Sequence, residues 1–149
     1  MNETTGTEQQ VAAVPPEPQS PYDFLALFPG APTPDQIETY RKMVPGGRLR
    51  LLPMKDGKRL FLLRGFTALE LQAIQADAAK APAEKQGQIA QTSIVLRCTL
   101  WTSTENSGKL TEAGLAASGA GLVSTLNIAI TDLSDYNDPA VLEQLYVDL

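Results

Sequence analysis

The side chains that most often carry catalysis are scarce in this sequence of 149 residues. It contains no His, which removes the commonest general base near neutral pH and a frequent metal ligand. The single cysteine, Cys98, lies in an apolar run, so we predict a buried and unreactive thiol. One cysteine allows neither an intramolecular disulfide nor a CxxC metal site. The composition therefore favours a reduced domain that is not an enzyme.

The glycine and carboxylate motifs of known sites are also incomplete. Gly108-Lys109-Leu110 lacks the Ser or Thr that a phosphate-binding loop needs after its Lys. Gly119-Ala120-Gly121 lacks the third glycine of a dinucleotide site, and no strand is predicted before it. Asp135-Tyr136-Asn137-Asp138 lacks the ligand spacing of a calcium loop. We therefore predict no catalytic residue, no cofactor and no metal.

Charge is distributed in three blocks. Residues 1–40 carry six acids and no base (−6), residues 41–100 eleven bases and four acids (+7), and residues 101–149 one base and seven acids (−6), which sums to −5. Blocks of opposite sign can pair within one chain, between copies of it, or with a different subunit. A negative net charge is unusual for nucleic-acid binding, so we expect an acidic protein surface as the partner of the basic block.

Residues 113–131 contain no charged side chain and are long enough to cross a bilayer. Their glycines and polar residues weaken the preference for lipid, so we predict a glycine-rich loop followed by a buried helix, and no membrane span. The acidic, polar N-terminus lacks the basic start and apolar run of a signal peptide, which predicts cytosolic synthesis.

Residues 1–32 are predicted to form a proline-rich extended arm. Seven of the eleven prolines lie within the first 34 residues, and proline interrupts regular hydrogen-bonded structure. The arm nevertheless contains a compact apolar cluster, which is formed by Tyr22, Phe24, Leu25, Leu27 and Phe28. This cluster either folds back on the chain's own surface or docks on a partner subunit, and its members are candidate partner-binding residues. We expect the arm to add little to the stability of the domain.

Residues 33–149 are predicted to form a small α+β domain that is mostly helical and contains one short β-hairpin. Capping boxes at Thr33 and Thr67 predict the starts of two helices, which end near Val44 and Lys80. Between them, Asp56-Gly57 predicts a tight turn with positive φ at the glycine. The two strands of this hairpin are Leu49–Met54 and Arg59–Arg64. The bases around it are further candidate partner-binding residues: Arg48, Arg50, Lys58 and Arg59.

Three more helices are predicted after the hairpin. The first runs from about Ala83 to Trp101, with an apolar stripe of Ile89, Ser93, Leu96 and Leu100, and Trp101 as a core or interface anchor. A polar loop follows over Thr102–Lys109. The next helix covers about Gly121–Ser134, with a stripe of Leu122, Leu126, Ile130 and Leu133. Asp138-Pro139 predicts the start of a last short helix, Ala140–Val147.

Three segments together resemble a known family. The hairpin ends in Phe61-Leu62-Leu63-Arg64-Gly65-Phe66-Thr67-Ala68-Leu69-Glu70, and a later helix carries Ile94-Val95-Leu96-Arg97-Cys98-Thr99-Leu100-Trp101. Ala120-Gly121-Leu122-Val123-Ser124-Thr125-Leu126-Asn127-Ile128-Ala129-Ile130 then precedes Leu133-Ser134. This order resembles small tail-morphogenesis proteins of tailed bacteriophages, namely tail assembly chaperones and small hub-proximal baseplate proteins, over about residues 33–136.

The resemblance implies a non-enzymatic role in assembling or holding a phage tail or baseplate. Its partners would be other tail or baseplate subunits or copies of itself, and its location the virion or the host cytoplasm during assembly. A second interpretation is a cytosolic adaptor or inhibitor that binds one protein without a viral context. An enzyme is a third interpretation, which would need a metal held by Asp or Glu and which a metal-content assay would reveal.

Overall fold

The computed structural model of the chain describes Asp23, residues 25–134 and Val147. The predicted anchors Tyr22 and Phe24, most of the predicted arm, and the predicted last helix apart from Val147 lie outside these residues. The described part is a mainly helical α+β fold with a small antiparallel sheet, which confirms the predicted fold class.

The first helix, α1 (Pro34–Met43), starts at the predicted capping box. The amide of Gln36 donates to Oγ1 of Thr33 (3.3 Å), and the amide of Thr33 donates to Oε1 of Gln36 (2.9 Å). These bonds satisfy amides that the first helical turn leaves without partners. Val44 ends the helix, and one 3₁₀ turn over Pro45–Gly47 leads into the sheet.

The sheet contains the predicted hairpin and one strand that the sequence did not reveal. Strands β1 (Leu49–Pro53), β2 (Leu60–Arg64) and β3 (Thr99–Thr102) pair antiparallel in the order β1-β2-β3. The turn between β1 and β2 has φ 68° at Gly57, as predicted. The amide of Lys58 donates to Oδ1 of Asp56 (2.9 Å), which is the main reason that the pKa of Asp56 is lowered.

Helix α2 (Ala68–Ala78) starts at the second predicted capping box, and α3 (Ala83–Cys98) follows it. A short helix, α4 (Glu112–Ala116), lies in the region predicted as a loop, and α5 (Leu122–Leu133) matches its predicted position. All four residues of the predicted α5 stripe are buried, namely Leu122, Leu126, Ile130 and Leu133. In the described part of the chain, no helix combines the length and the apolar character that crossing a membrane requires.

The prediction that the middle helix continues to Trp101 is wrong. The helix ends at Cys98, and the next four residues form β3, in which Trp101 pairs with Leu62 of β2. Thr99 and Thr102 are β-branched and Trp101 is aromatic, which suits a strand once β2 offers an edge to pair with. The helical spacing of Leu100 was therefore a coincidence, although the prediction of Trp101 as a core anchor is confirmed by its 8% exposure.

The residues of α3 that are buried also differ from the predicted apolar stripe. The buried residues of α3 are Ile94, Val95 and Cys98, whereas Ile89 is 40% exposed. Helix α3 lies between α2 and α5, so its buried surface is wider than a single stripe. Periodicity within one helix cannot show which neighbours will flank it.

Strand β2 is buried on both of its faces. Phe61 and Leu63 point into a cluster built by the helices, which contains Ile74, Ile94, Val95, Cys98, Leu110, Leu115, Leu122, Leu126 and Ile130. Leu60 and Leu62 point to the opposite side, where Leu25, Ile37 and Trp101 complete a second cluster. The uninterrupted run Leu60–Leu63 is explained by this double burial, because a strand with one wet face would alternate.

Arg64 joins the end of β2 to the start of α2. Its Nη1 and Nη2 donate to Oε1 (2.9 Å) and Oε2 (2.8 Å) of Glu70, and Nη1 also donates to the carbonyl of Gly65 (2.9 Å). Both charged side chains are mostly shielded from water. The hydrogen bonds from Arg64 lower the pKa of Glu70, and the same bonds raise the pKa of Arg64. Glu70 therefore caps α2 and anchors it to the sheet.

Candidate protein-binding edge

Cys98 is the one cysteine of the chain, and it is completely buried under the helices. Burial raises the pKa of its thiol to about 11, so it carries little thiolate near neutral pH. Among residues 25–134 and the two further described positions, His, Cys, Asp and Glu form no group of three or more that could hold a metal ion.

The inner end of the predicted arm packs on the chain's own sheet. Leu25 is 3% exposed in the second core cluster, and Phe28 and Ala31 lie against it. Turns hold this segment, because the amide of Phe28 donates to the carbonyl of Leu25 (3.0 Å) and that of Ala31 to the carbonyl of Phe28 (3.2 Å). Packed residues thus begin before Thr33, the predicted domain boundary.

The apolar cluster of the predicted arm was expected either to fold back on the chain's own surface or to dock on a partner, and its described members differ in this respect. Leu25 is used in the chain's own core, which corrects its assignment as a side chain available to a partner. Phe28 is half-buried in the same layer. Leu27 is 72% exposed and keeps the surface that a partner needs. Tyr22 and Phe24 lie outside the described residues.

Two of the predicted basic residues, Arg50 and Arg59, form ion pairs that fix their side chains. Arg50 reaches across to α5, where its Nη1 donates to Oδ2 of Asp132 (2.8 Å) and to the carbonyl of Ala129 (3.2 Å). Arg59 donates from Nε to Oδ2 of Asp56 (2.9 Å) inside the hairpin turn. Both ion pairs are partly exposed, so their charges contribute to the electrostatic potential at the surface. Each pair also fixes the orientation of its arginine side chain.

Lys58 and Arg48 lie exposed at opposite ends of the hairpin. Lys58 belongs to the β1–β2 turn, and Arg48 directly precedes β1. Residues 41–59 contain seven bases and one acid, Asp56. The hairpin and the end of α1 thus form the most basic part of the chain, as the charge blocks predicted.

The outer edge of β1 has no partner strand in the described part of the chain. Leu60 exchanges backbone and side-chain bonds with Ser103 next to β3, since its amide donates to Ser103 Oγ (2.8 Å) and its carbonyl accepts from the Ser103 amide (3.0 Å). Backbone groups alternate in direction along an antiparallel strand. The backbone amides and carbonyls of Phe61 and Leu63 therefore point toward β1. Those of Leu49 and Leu51 point away from the sheet.

An apolar groove runs beside this edge, between α1 and β1. Its volume is about 390 Å³, and its walls are formed by Leu25, Ile37, Arg41, Leu49, Arg50, Leu51 and Leu62. We call this depression the edge groove. A strand added to β1 would place every second side chain over the groove, because side chains alternate between the two faces of a sheet.

Sequence reasoning identified the basic residues but missed the groove and the open edge. The hairpin pattern gave two strands without saying which would be central. Only the third strand makes β2 central and leaves β1 at the edge. One sequence pattern could have identified β2 as the central strand, namely the uninterrupted apolar run Leu60–Leu63. A strand that is apolar on both faces is typical of a central position.

Comparison of the chain with known protein families, with curated proteins and with solved structures finds no match.

Proposed function

We propose that this chain is a non-enzymatic assembly or structural protein of a phage tail or baseplate, and that it binds another subunit at the β1 edge. The observation that carries the binding part of the proposal is the open backbone of Leu49 and Leu51 beside the edge groove. An exposed strand edge with neighbouring apolar pockets is the arrangement used in strand addition, where backbone bonds give affinity and pockets give specificity.

Charge supports an acidic partner. The bases of residues 41–59 lie at the end of α1, in and before β1 and in the β1–β2 turn, and complementary potential speeds encounter and fixes register. The exposed pairs Arg50–Asp132 and Arg59–Asp56 hold two guanidinium groups in place before binding, which reduces the entropy that docking costs.

The viral setting is supported by the sequence resemblance over about residues 33–136. The segments that carry this resemblance supply the helical core: Phe61, Leu63, Val95, Leu126 and Ile130 are all fully buried. The resemblance therefore concerns the framework of the domain, and the β1 edge supplies the contact surface on that framework.

The test uses the genome that encodes the chain. We expect that deleting the gene abolishes complete tails in electron micrographs, and that Arg48→Glu with Lys58→Glu does the same by reversing the charge of the hairpin. The control, Lys80→Glu with Lys85→Glu, changes the net charge equally on exposed positions in the turn after α2 and at the start of α3. Mass spectrometry of purified particles then distinguishes a virion component from an assembly factor.

Normal tails after deletion of the gene would overturn the viral role and favour the adaptor interpretation. Equal loss of tails in both double variants would instead show that the hairpin has no special part in binding.

A further inference from the structure

We infer that a cavity beside β3 is a binding site for an organic carboxylate, that is, a carboxylate group carried on a short apolar stem. The cavity lies between the turn at Gly30, the β1–β2 turn and the loop that follows β3, and its volume is about 340 Å³. This volume suits a small molecule or one residue of a peptide. The cavity shares no described residue with the edge groove, so the inference is independent of the binding proposed at the β1 edge.

Trp101 gives the cavity an apolar wall and one hydrogen-bond donor. Its side chain is only 8% exposed, and its indole nitrogen donates to no acceptor in the described part of the chain. A Cβ on Gly108 would lie 2.6 Å from Nε1, so the glycine lets the N–H edge of the indole lie beside the loop that lines the same cavity. An indole N–H can only donate, which favours a ligand that accepts.

Two serine hydroxyls of the wall also have hydrogens to donate. Ser103 Oγ accepts from the amide of Leu60 (2.8 Å), and Ser107 Oγ accepts from the amide of Lys109 (3.3 Å). Neither hydroxyl donates to another group among the described residues. Because a backbone amide already occupies each oxygen, the hydrogen of each hydroxyl remains available to a ligand.

The charge of the cavity comes from Lys58. Its side chain is exposed and pairs with no carboxylate of the described residues, since the nearby Asp56 is paired with Arg59 (2.9 Å). The acid of the wall, Glu105, is turned toward α4. A Cβ on Gly114 would meet its Oε1 and lie 3.1 Å from its Cδ. The carboxyl group of Glu105 is therefore held at the start of α4, and Lys58 remains open to an anion.

These groups fit a carboxylate better than a phosphate. One ammonium group, two hydroxyls and one indole N–H match the single charge and the two accepting oxygens of a carboxylate. Arg is the residue typical of phosphate recognition, and the described wall contains none. Phe28 and Pro29 also line the cavity and offer carbon surface to an apolar stem. Such a ligand is either a free small acid or the C-terminal residue of a peptide.

The first experiment uses the fluorescence of Trp101, which is the only tryptophan of the chain. The full chain is titrated with isocaproate and, separately, with isocaproamide, which has nearly the same shape without the charge. We expect a saturable change with isocaproate at a Kd of about 1 to 10 mM, and binding of the amide that is weaker by about tenfold or more. No saturable change with isocaproate, or an equal response to both compounds, overturns the inference.

A second pair of probes distinguishes the two sources of the carboxylate. A tripeptide that ends in leucine is compared as the free acid and as the C-terminal amide. Tighter binding of the peptide acid than of isocaproate supports a site for the end of a peptide chain, whereas weaker binding supports a site for a free acid. Equal binding of the peptide acid and the peptide amide overturns the carboxylate site.

Substitutions locate the bound probe. Lys58→Met removes the ammonium group and keeps the stem, and we expect it to weaken isocaproate binding by about tenfold. The matched control, Lys109→Met, removes an exposed ammonium group of the same loop outside the cavity wall and leaves the affinity unchanged. Ser107→Ala removes one donor, for which we expect a loss of about threefold.

Equal losses in the two lysine variants would show only a general attraction of anions and would overturn the site. Far-UV circular dichroism of each variant confirms that the fold is retained. All of these measurements use the isolated chain, so a failure here leaves the proposed viral role untouched, and normal tails after deletion of the gene leave the carboxylate site untouched.

Discussion

The two faces of the β-sheet are covered to different depths. On the helical face, α2, α3, α4 and α5 contribute to a cluster of eleven buried residues. On the other face, α1 and the segment from Leu25 to Ala31 form a thinner layer, and the cluster there has five buried residues, of which only Leu25 and Ile37 come from that layer. Buried apolar area is the main source of folding free energy, so the helical face supplies most of the stability. The thin layer leaves the edge groove uncovered beside β1.

The two edges of the sheet differ in the same way. At β3, the loop returns and the carbonyl of Gly108 accepts from the amide of Thr102 (2.9 Å). Gly108 has φ 77°, and a methyl group there would overlap the indole of Trp101, so only glycine lets the loop close on this edge. At β1, no described residue pairs with the outward backbone groups. Within the described residues, the helical face and the β3 edge are closed, whereas the β1 edge and its groove stay open, and this is the surface at which we propose binding.

The largest expected effect comes from a cavity on the helical face. Leu63→Ala removes a side chain with no exposure, and we expect it to lower the free energy of unfolding by about 4 kcal/mol. Urea unfolding followed by far-UV circular dichroism measures this loss. A cost no greater than that of Leu25→Ala would show that the two faces contribute equally.

Leu25→Ala is the matching change in the thin layer. It removes a side chain that is 3% exposed, but its cluster contains five buried residues against eleven on the helical face, so fewer packed neighbours lose contacts. We therefore expect a loss of about 2 to 3 kcal/mol by the same urea measurement. This loss is larger than the one expected for an arm that does not pack on the domain. An unchanged urea midpoint would show that Leu25 is available to a partner.

Glu70→Gln tests the ion pair that attaches α2 to the helical face. Gln keeps the capping box but loses the charged bonds to Arg64, so we expect a loss of about 2 kcal/mol near neutral pH. Because the folded pKa of Glu70 lies below its ordinary value of 4.5, this stabilisation is complete above that pH and disappears as the pH falls through the folded pKa. The stability difference between wild type and variant, measured from pH 7 down to pH 3, should therefore shrink. A constant difference would assign the effect to packing.

The smallest effect is expected at the turn that belongs to neither face. Gly57 has φ 68°, and a methyl group there would meet no atom, so Gly57→Val costs about 1 kcal/mol through backbone strain alone. Gly87→Val controls for the loss of a glycine at another position with open space and without a positive φ. Thermal unfolding of both variants gives the comparison, and equal midpoints would contradict the strained turn.

Features that depend on a few neighbouring residues were correctly predicted from the sequence. Thr33 and Thr67 start helices because the bonding groups of a capping box lie only three residues apart. Gly57 fixes the hairpin turn, and the stripe from Leu122 to Leu133 marks the buried side of α5. Each of these signals acts within one element, so no knowledge of the remaining chain is needed.

The tertiary structure alone decided which elements meet. Thr99–Thr102 became a strand because β2 offered it an edge, and Leu25 became a core residue because Ile37 and Leu62 form the surface on which it lies. Arg64 contacts Glu70 because the fold places the end of β2 beside the start of α2. The candidate site belongs to this second group, because an open edge and a groove are defined by the strands and helices beside them. Local propensity is a weak preference of a few tenths of a kcal/mol per residue, and the burial available in the assembled fold overrides it.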